Sequence, residues 1–243
     1  MKALFLGTGA ADWSGPDENG EYRRLTSTLL DGTLLIDVTR STLGTIKDPS
    51  AITDVFFTHS HPDHFDSEAL RALAPCRVWA HESWASEIEG PGLTVLPLRA
   101  GETVTANGFS VTPLPSNHST SHKYETTLHY LIEKDGKRLF YATDGAWLLN
   151  YEYHFIRTLT LDAAVFDATI GDGHDGDYRI FEHNSMPMLR IMVSTLRNTG
   201  ILRPDAPVFM THLARTLHKD QAEVEKRAEP PFVVCFDGLE AEI

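Results

Sequence analysis

Cysteine is nearly absent from this chain: two in 243 residues, Cys76 and Cys235, far apart in sequence. They support neither a disulfide framework nor a thiolate zinc module, and a reducing compartment fits best. Long apolar runs are missing too. The run within residues 1–9 is too short for a secretory leader, and nothing downstream approaches the length of a membrane span, so a cytoplasmic protein without a membrane partner is expected. Positive charge is scarce, with 21 Lys and Arg against 34 Asp and Glu, a formal balance of -13. Holding a phosphate backbone without regard to sequence needs clustered cations, so no stable nucleic-acid partner is expected; a local basic pocket is compatible with the balance. Gly7-Thr8-Gly9 ends the first predicted strand but lacks the Gly-Lys-Ser/Thr ending of a phosphate-binding loop. No low-complexity linker, short-period repeat or shift in composition divides the chain, so residues 1–243 read as one domain.

What the chain does have is a concentration of imidazole. Thr58-His59-Ser60-His61-Pro62-Asp63-His64 puts three histidines and a carboxylate into six residues after the apolar, strand-like Val55-Phe56-Phe57. At this chain's own His and Asp frequencies such spacing arises by chance in roughly two sequences per thousand, so a metal site is the expected meaning. Asp66 to Leu73 reads as a short helix, which places the motif on a strand-to-helix loop.

Around it, alternation and turn chemistry predict strands. Lys2 to Leu6 is the first. Hairpins follow over Ser27–Asp37, Thr103–Pro113 and Thr127–Thr143, turning at Asp31-Gly32, Asn107-Gly108 and Asp135-Gly136. Arg77 to His81 reads as a strand followed by a short helix through Trp84. Further strands are expected at Ala163–Asp167, Val208–Thr211 and Phe232–Phe236, and helices at Tyr151–Leu159, Ser185–Arg197 and Thr216–Arg227. Each half runs from hairpins into helices, which predicts two similar sheets packed face to face with helices outside. The apolar residues of those helices suit a core or a homodimer interface equally well.

Strand ends are where imidazole and carboxylate ligands converge. His118 follows Thr112-Pro113-Leu114-Pro115, Asp144 ends Phe140-Tyr141-Ala142-Thr143, and His212 ends Val208-Phe209-Met210-Thr211. Asp37 closes a buried strand and is a candidate acceptor for the proton of a ligand histidine. With these residues in view, the chain resembles the metallo-β-lactamase superfamily of hydrolases. The resemblance spans residues 1 to 236 and implies an α/β, four-layer αββα sandwich. It also implies two divalent metal ions, with zinc as the default and manganese or iron as alternatives. By the same resemblance His59, His61 and His118 match the ligands of one ion, Asp63, His64 and His212 those of the other, and Asp144 the shared carboxylate. Two such ions roughly 3.5 to 4 Å apart lower the pKa of a bridging water to about 7, so that hydroxide becomes the nucleophile.

Asp167-Ala168-Thr169 and Glu182-His183-Asn184-Ser185 resemble the segments by which phosphodiesterase members bring a histidine to the scissile phosphate, which here is His183. Asp63 and His183 are thus the expected catalytic residues and a small (cyclic) phosphodiester the expected substrate, as in the small cyclic phosphodiesterases of the carbon-phosphorus lyase pathway, which this chain resembles. That group usually has a cysteine-rich insertion after its Gly-Thr-Gly turn, and Asp12 to Tyr22 here contains no cysteine. Alternatives are a tRNA 3′-end endonuclease, a sugar-phosphate lactonase and, in another class, a non-hydrolytic metal-binding or diiron redox protein. His174 and His218 read as surface residues. Arg23 and Arg24 read as loop cations with a phosphate contact as the alternative.

Overall fold

The computed structural model describes residues 1–122, 124–174 and 176–243. The first sheet is built from β1 (Lys2–Gly7), β2 (Ser27–Leu30), β3 (Leu34–Ile36), β4 (Asp54–Phe56), β5 (Cys76–His81) and β6 (Leu93–Leu98). The second takes β7 (Val104–Ala106), β8 (Phe109–Pro115), β9 (Leu128–Lys134), β10 (Lys137–Ala142), β11 (Ala163–Asp167), β12 (Val208–Thr211) and β13 (Phe232–Val234). The last strand, β14 (Leu239–Glu242), returns to the first sheet and pairs with β1, giving the orders β14-β1-β2-β3-β4-β5-β6 and β13-β12-β11-β10-β9-β8-β7. In each sheet three antiparallel pairings give way to three parallel ones, at β3 and at β10.

The residue pattern explains the layering. Strands buried on both faces read as near-continuous apolar runs whose alternate side chains serve different cores. Along β11, Ala163 and Val165 join Leu34, Ile36, Phe56 and Tyr130 between the sheets, whereas Ala164 and Phe166 point to the outer core. That outer core is closed by Ile156 of α3 (Asn150–Ile156), Leu189 and Val193 of α4 (Met186–Asn198), and Val224 of α5 (Gln221–Arg227). On the opposite face Val55, Phe57 and Val78 pack with Leu43 of α1 (Arg40–Leu43) and Leu70 of α2 (Ser67–Arg71). The αββα sandwich expected from the sequence is therefore present. Burial of each large apolar side chain contributes about 1.5–3 kcal/mol, so three such cores can hold strained backbone at the strand ends.

The turns follow the residue chemistry. Asp31-Gly32, Asn107-Gly108 and Asp135-Gly136 all have both residues at positive φ. The last two are two-residue loops, and the first includes Thr33 as a third residue, with Leu30 paired to Leu34. α4 starts where Ser185 accepts from Met188 N and ends just before Gly200, whose φ is 77°.

Three expectations are corrected. The helix expected over Thr216–Arg227 begins only at Gln221, because Asp12 accepts from Arg215 N, Thr216 N and the Thr216 hydroxyl, which holds that segment as a loop until Asp220 caps Glu223 N. The segment after β5 forms a single 3-10 turn at Ala85–Glu87 and no helix through Trp84. β6 and β14 are additional; the alternately half-buried and exposed residues of β14 form an edge that carries little apolar signal. Among the described residues no helix is long and apolar enough to cross a membrane.

Candidate metal centre

The C-terminal ends of β4, β8, β10 and β12 converge on one group of polar side chains. His59, His61, Asp63 and His64 come from the loop after β4, His118 from the loop after β8, Asp144 from the end of β10 and His212 from the end of β12. In the loop, His64 N and Phe65 N both donate to His61 O, and Asp66 caps α2. Ser60 is held on the other side, its amide 2.7 Å and its hydroxyl 2.5 Å from the Glu125 carboxylate. Glu125 had no signal in the sequence, since a glutamate in a polar loop is ordinary.

The seven expected ligands form two groups, His59/His61/His118 and Asp63/His64/Asp144/His212, with the donor atoms of each group within 4.8 Å of one another. Asp144 joins them. Its Oδ2 lies 3.2 Å from His64 Nε2 and 3.7 Å from both His59 Nε2 and His118 Nε2, and its Oδ1 lies 3.3 Å from His212 Nε2.

Hydrogen bonds behind the histidines set their tautomers. The Thr58 hydroxyl donates to Asp37 Oδ2 (2.8 Å), because a carboxylate only accepts, and so takes the Nδ1 proton of His59 (2.9 Å). His64 Nδ1 donates to the same Asp37 oxygen at 2.8 Å. Thr169 repeats the device in the other half: its hydroxyl donates to Asp167 Oδ1 (3.0 Å) and accepts from His212 Nδ1 (2.8 Å). His118 Nδ1 faces the Glu182 carbonyl at 3.3 Å. In each case Nδ1 is engaged behind the ring and Nε2 is turned into the site, the orientation a metal needs. Asp37 thus lies behind the His64 ring, against its Nδ1. Thr58 and Thr169 could not be assigned from sequence, because each needs a partner from another strand end, Asp37 for Thr58 and His212 for Thr169.

The electrostatics fit a cation. Burial depresses His59 far below the usual imidazole range and holds His118 at about 4, so both are neutral donors. Around His64, burial pulls in the same direction but is overcome by Asp144, Asp63 and Asp37, which draw its pKa well up. Asp63 stays ionised, at about 2, because His64 and His212 outweigh its burial. This negative field surrounds two unsatisfied atoms. His64 Nε2 and Asp144 Oδ1 are buried without a hydrogen-bond partner, a state costing about 1–3 kcal/mol each. Divalent cations held by these imidazoles and carboxylates would satisfy both atoms. The backbone is strained at the same place: Asp37, Asp144 and His212 have φ of 58°, 43° and 56°, a region that non-glycine residues rarely occupy.

His183 stands beside this centre. Its ring is stacked on His212 (5.2 Å between centroids, 12° between planes) and lies 4.9 Å from that of His118. Its Nδ1 donates to Asp167 Oδ2 at 2.8 Å. Burial lowers its pKa, but Asp167 first, then Asp144 and Asp63, raise it to about 9. Asp167, read in sequence only as the end of a strand, is the anchor: it also accepts from the amides of Thr169, Asn184 and Gly145.

The remaining candidates lie elsewhere. Arg23 is buried, donating to Thr8 Oγ1 (2.7 Å), the Cys235 carbonyl (2.7 Å) and Gln221 Oε1, so it ties loops together away from the metal-ligand candidates. Arg24 pairs with Asp237 at 3.3 Å. His218, expected at the surface, is half-buried, and its Nε2 donates to the Ala168 carbonyl at 2.7 Å. His174 is exposed and, with His218, Arg215 and Lys219, lines a separate cavity of about 390 Å³.

Residues 25–201 match the model of the β-lactamase superfamily domain. No curated protein matches the chain in sequence. Solved structures with this fold include Zn(2+)-bound PqqB from Methylobacterium extorquens, with 20% identity, a TM-score of 0.77 and full coverage of both chains. A diphosphatase of the PhnP family has 18% identity and a TM-score of 0.72, covering 99% of this chain and 97% of its own. Human tRNase Z, short form, has 15% identity and a TM-score of 0.71, covering 100% of this chain and 99% of its own. At these identities the likeness is one of fold.

Proposed function

Since the chain belongs to the β-lactamase superfamily, we propose that it is a metal-dependent hydrolase whose substrate is a small phosphodiester, cyclic phosphodiesters included. The observation that carries this reading is the Asp167–His183 pair set against His212 and His118 at the edge of the centre. A pair of divalent cations, zinc by default, would be held by His59, His61 and His118 and by Asp63, His64 and His212, with Asp144 between them; such ions supply Lewis acidity and lower the pKa of water.

The chain's own groups divide the rest of the work. Asp167 fixes the His183 ring through Nδ1, which leaves Nε2 to protonate the departing alkoxide. Asp63, ionised in this site, takes the proton of the attacking water. One P–O bond forms and one breaks, so a diester and water become a monoester and an alcohol; in a cyclic diester both groups remain on one product. A lactone leaves the same kind of alkoxide but offers no phosphoryl oxygens to a neighbouring imidazolium. A tRNA 3′ end would suit the same pair, but a net charge of -13 weighs against a surface that grips a long phosphate backbone.

The test is a panel of cyclic nucleotides, ribosyl cyclic phosphates, aryl phosphodiesters, a tRNA precursor and lactones, assayed with metal-loaded protein. Turnover of the small phosphodiesters is expected. Turnover confined to lactones or to tRNA would remove this reading, and chelator-free protein with only trace metal would remove the metal hydrolase with it.

A further inference from the structure

The metal centre does not account for a second buried pair directly behind it. His129, near the start of β9, and Glu152, in α3, are 1% and 0% exposed, and His129 Nδ1 lies 2.6 Å from Glu152 Oε1. On its other side, His129 Nε2 is 3.2 Å from the backbone carbonyl of Asp144. A carbonyl can only accept, so Nε2 carries a proton and donates it to Asp144 O. Glu152 in turn uses its other oxygen, Oε2, to accept from Leu149 N at 2.7 Å, which fixes the start of α3. The chain of contacts therefore runs from the first turn of α3 through Glu152 and His129 to the main chain of Asp144.

That main chain needs holding. Asp144 has a φ of 43°, which is unfavourable for any residue with a Cβ. The next residue is a glycine for a visible reason: a Cβ on Gly145 would sit 2.7 Å from His129 Cε1 and Nε2. The imidazole is thus packed closely against the Asp144-Gly145 turn as well as bonded to it. Asn184 and Asp167 hold the same turn from the other side, through Gly145 O (2.7 Å) and Gly145 N (3.2 Å). Two buried polar groups in an otherwise apolar layer cost stability unless they are fully bonded. Here each polar atom has a partner, and the path ends at the one carboxylate that faces both groups of metal ligands.

We infer that His129 and Glu152 are positioning residues: they hold Asp144 in its strained turn with its two oxygens divided between the two metal positions. The inference rests on the reading of Asp144 as the shared carboxylate of a metal pair. Groups that orient a metal ligand from behind typically change metal affinity about 10- to 100-fold when removed, although they never touch the metal.

The experiment is zinc titrated into the chelator-stripped full chain, followed by calorimetry, with no substrate present. Wild type is expected to take up two ions. His129→Ala should weaken the more loosely held ion about 10- to 100-fold. His129→Gln, whose side-chain amide can place an N–H near the position of Nε2, should return it to within about threefold of wild type, while the shorter His129→Asn should not. Glu152→Gln should also stay near wild type, since its amide can accept from Leu149 and donate to Nδ1, which leaves the Nε2 proton on Asp144. In an Asp144→Asn background, His129→Ala should cost less than about twofold, because the residue through which it acts is already altered. If His129→Ala does not fold, the contrast between the Gln and Asn variants decides. Unchanged zinc affinity in His129→Ala, equal affinity in the Gln and Asn variants, losses that simply add to that of Asp144→Asn, or a wild type without a second ion would each overturn the inference. A wild type that binds two zinc ions, with the expected losses in the variants but no phosphodiester turnover, would overturn the proposed function and leave the positioning role standing.

Discussion

The two seven-stranded sheets repeat one another and yet supply the centre in opposite ways. In each, the strand at which antiparallel pairing changes to parallel ends in an aspartate with positive φ, Asp37 after β3 and Asp144 after β10. In each, a threonine two residues past the end of the next strand bridges a carboxylate and a histidine, Thr58 after β4 and Thr169 after β11. The outcomes differ. The first half draws its aspartate back behind His64 and delivers four ligands on one short loop. The second half pushes its aspartate into the middle and gathers its other groups from separate strand ends. Equivalent positions in a repeated scaffold have thus been given different tasks, one orienting a ligand and one facing both metal positions.

Mutation can break this comparison at matched positions. The largest effect is expected at Asp144: Asp144→Ala should bring phosphodiester turnover to background, a fall of at least 10⁴-fold or about 5.5 kcal/mol of barrier, with loss of metal seen by elemental analysis. His183→Ala, which has no counterpart in the first half, should lower kcat by about 10² to 10⁴ with metal content unchanged. Loss of metal in that variant would make His183 a ligand, in keeping with its grouping with Asp144, Asp167 and His212. Asp37→Ala should weaken metal binding about 10- to 100-fold while leaving turnover measurable at saturating metal. An effect as large as that of Asp144→Ala would erase the distinction between the two aspartates. The smallest effects are expected from Thr58→Val and Thr169→Val, each about tenfold in metal affinity and similar to one another, if the two threonines do the same job.

The same contrast explains what could be read from the sequence. Four candidate ligands of the first half lie within six residues, so spacing alone singles them out, and His118, Asp144 and His212 stand at the ends of strands that alternation and turn residues mark out. Asp37 was visible as a carboxylate closing a buried strand. Asp167 was visible only as a strand end, because its role depends on Thr169, Asn184 and His183, brought together by the fold. His129 and Glu152 were silent. One sits in a strand and the other in a helix, and neither period reveals a polar contact 23 residues away. The helix expected from Thr216 stopped short for a similar reason: Asp12, some two hundred residues earlier, takes the hydrogen bonds that a first helical turn would have left open. Local pattern marks what a segment can become, and distant partners decide where it stops.

The positive φ of Asp37, Asp144 and His212 has a consequence for anyone seeking a hardier variant of this protein. Glycine tolerates that conformation without penalty, so at these three positions replacement relieves backbone strain just as it removes a functional group. A screen that rewards heat resistance alone would drift toward such replacements and recover well-folded, inert molecules. Selection for robustness in this scaffold therefore has to be coupled to turnover from the first round, or it will find the candidate metal centre before it finds the surface.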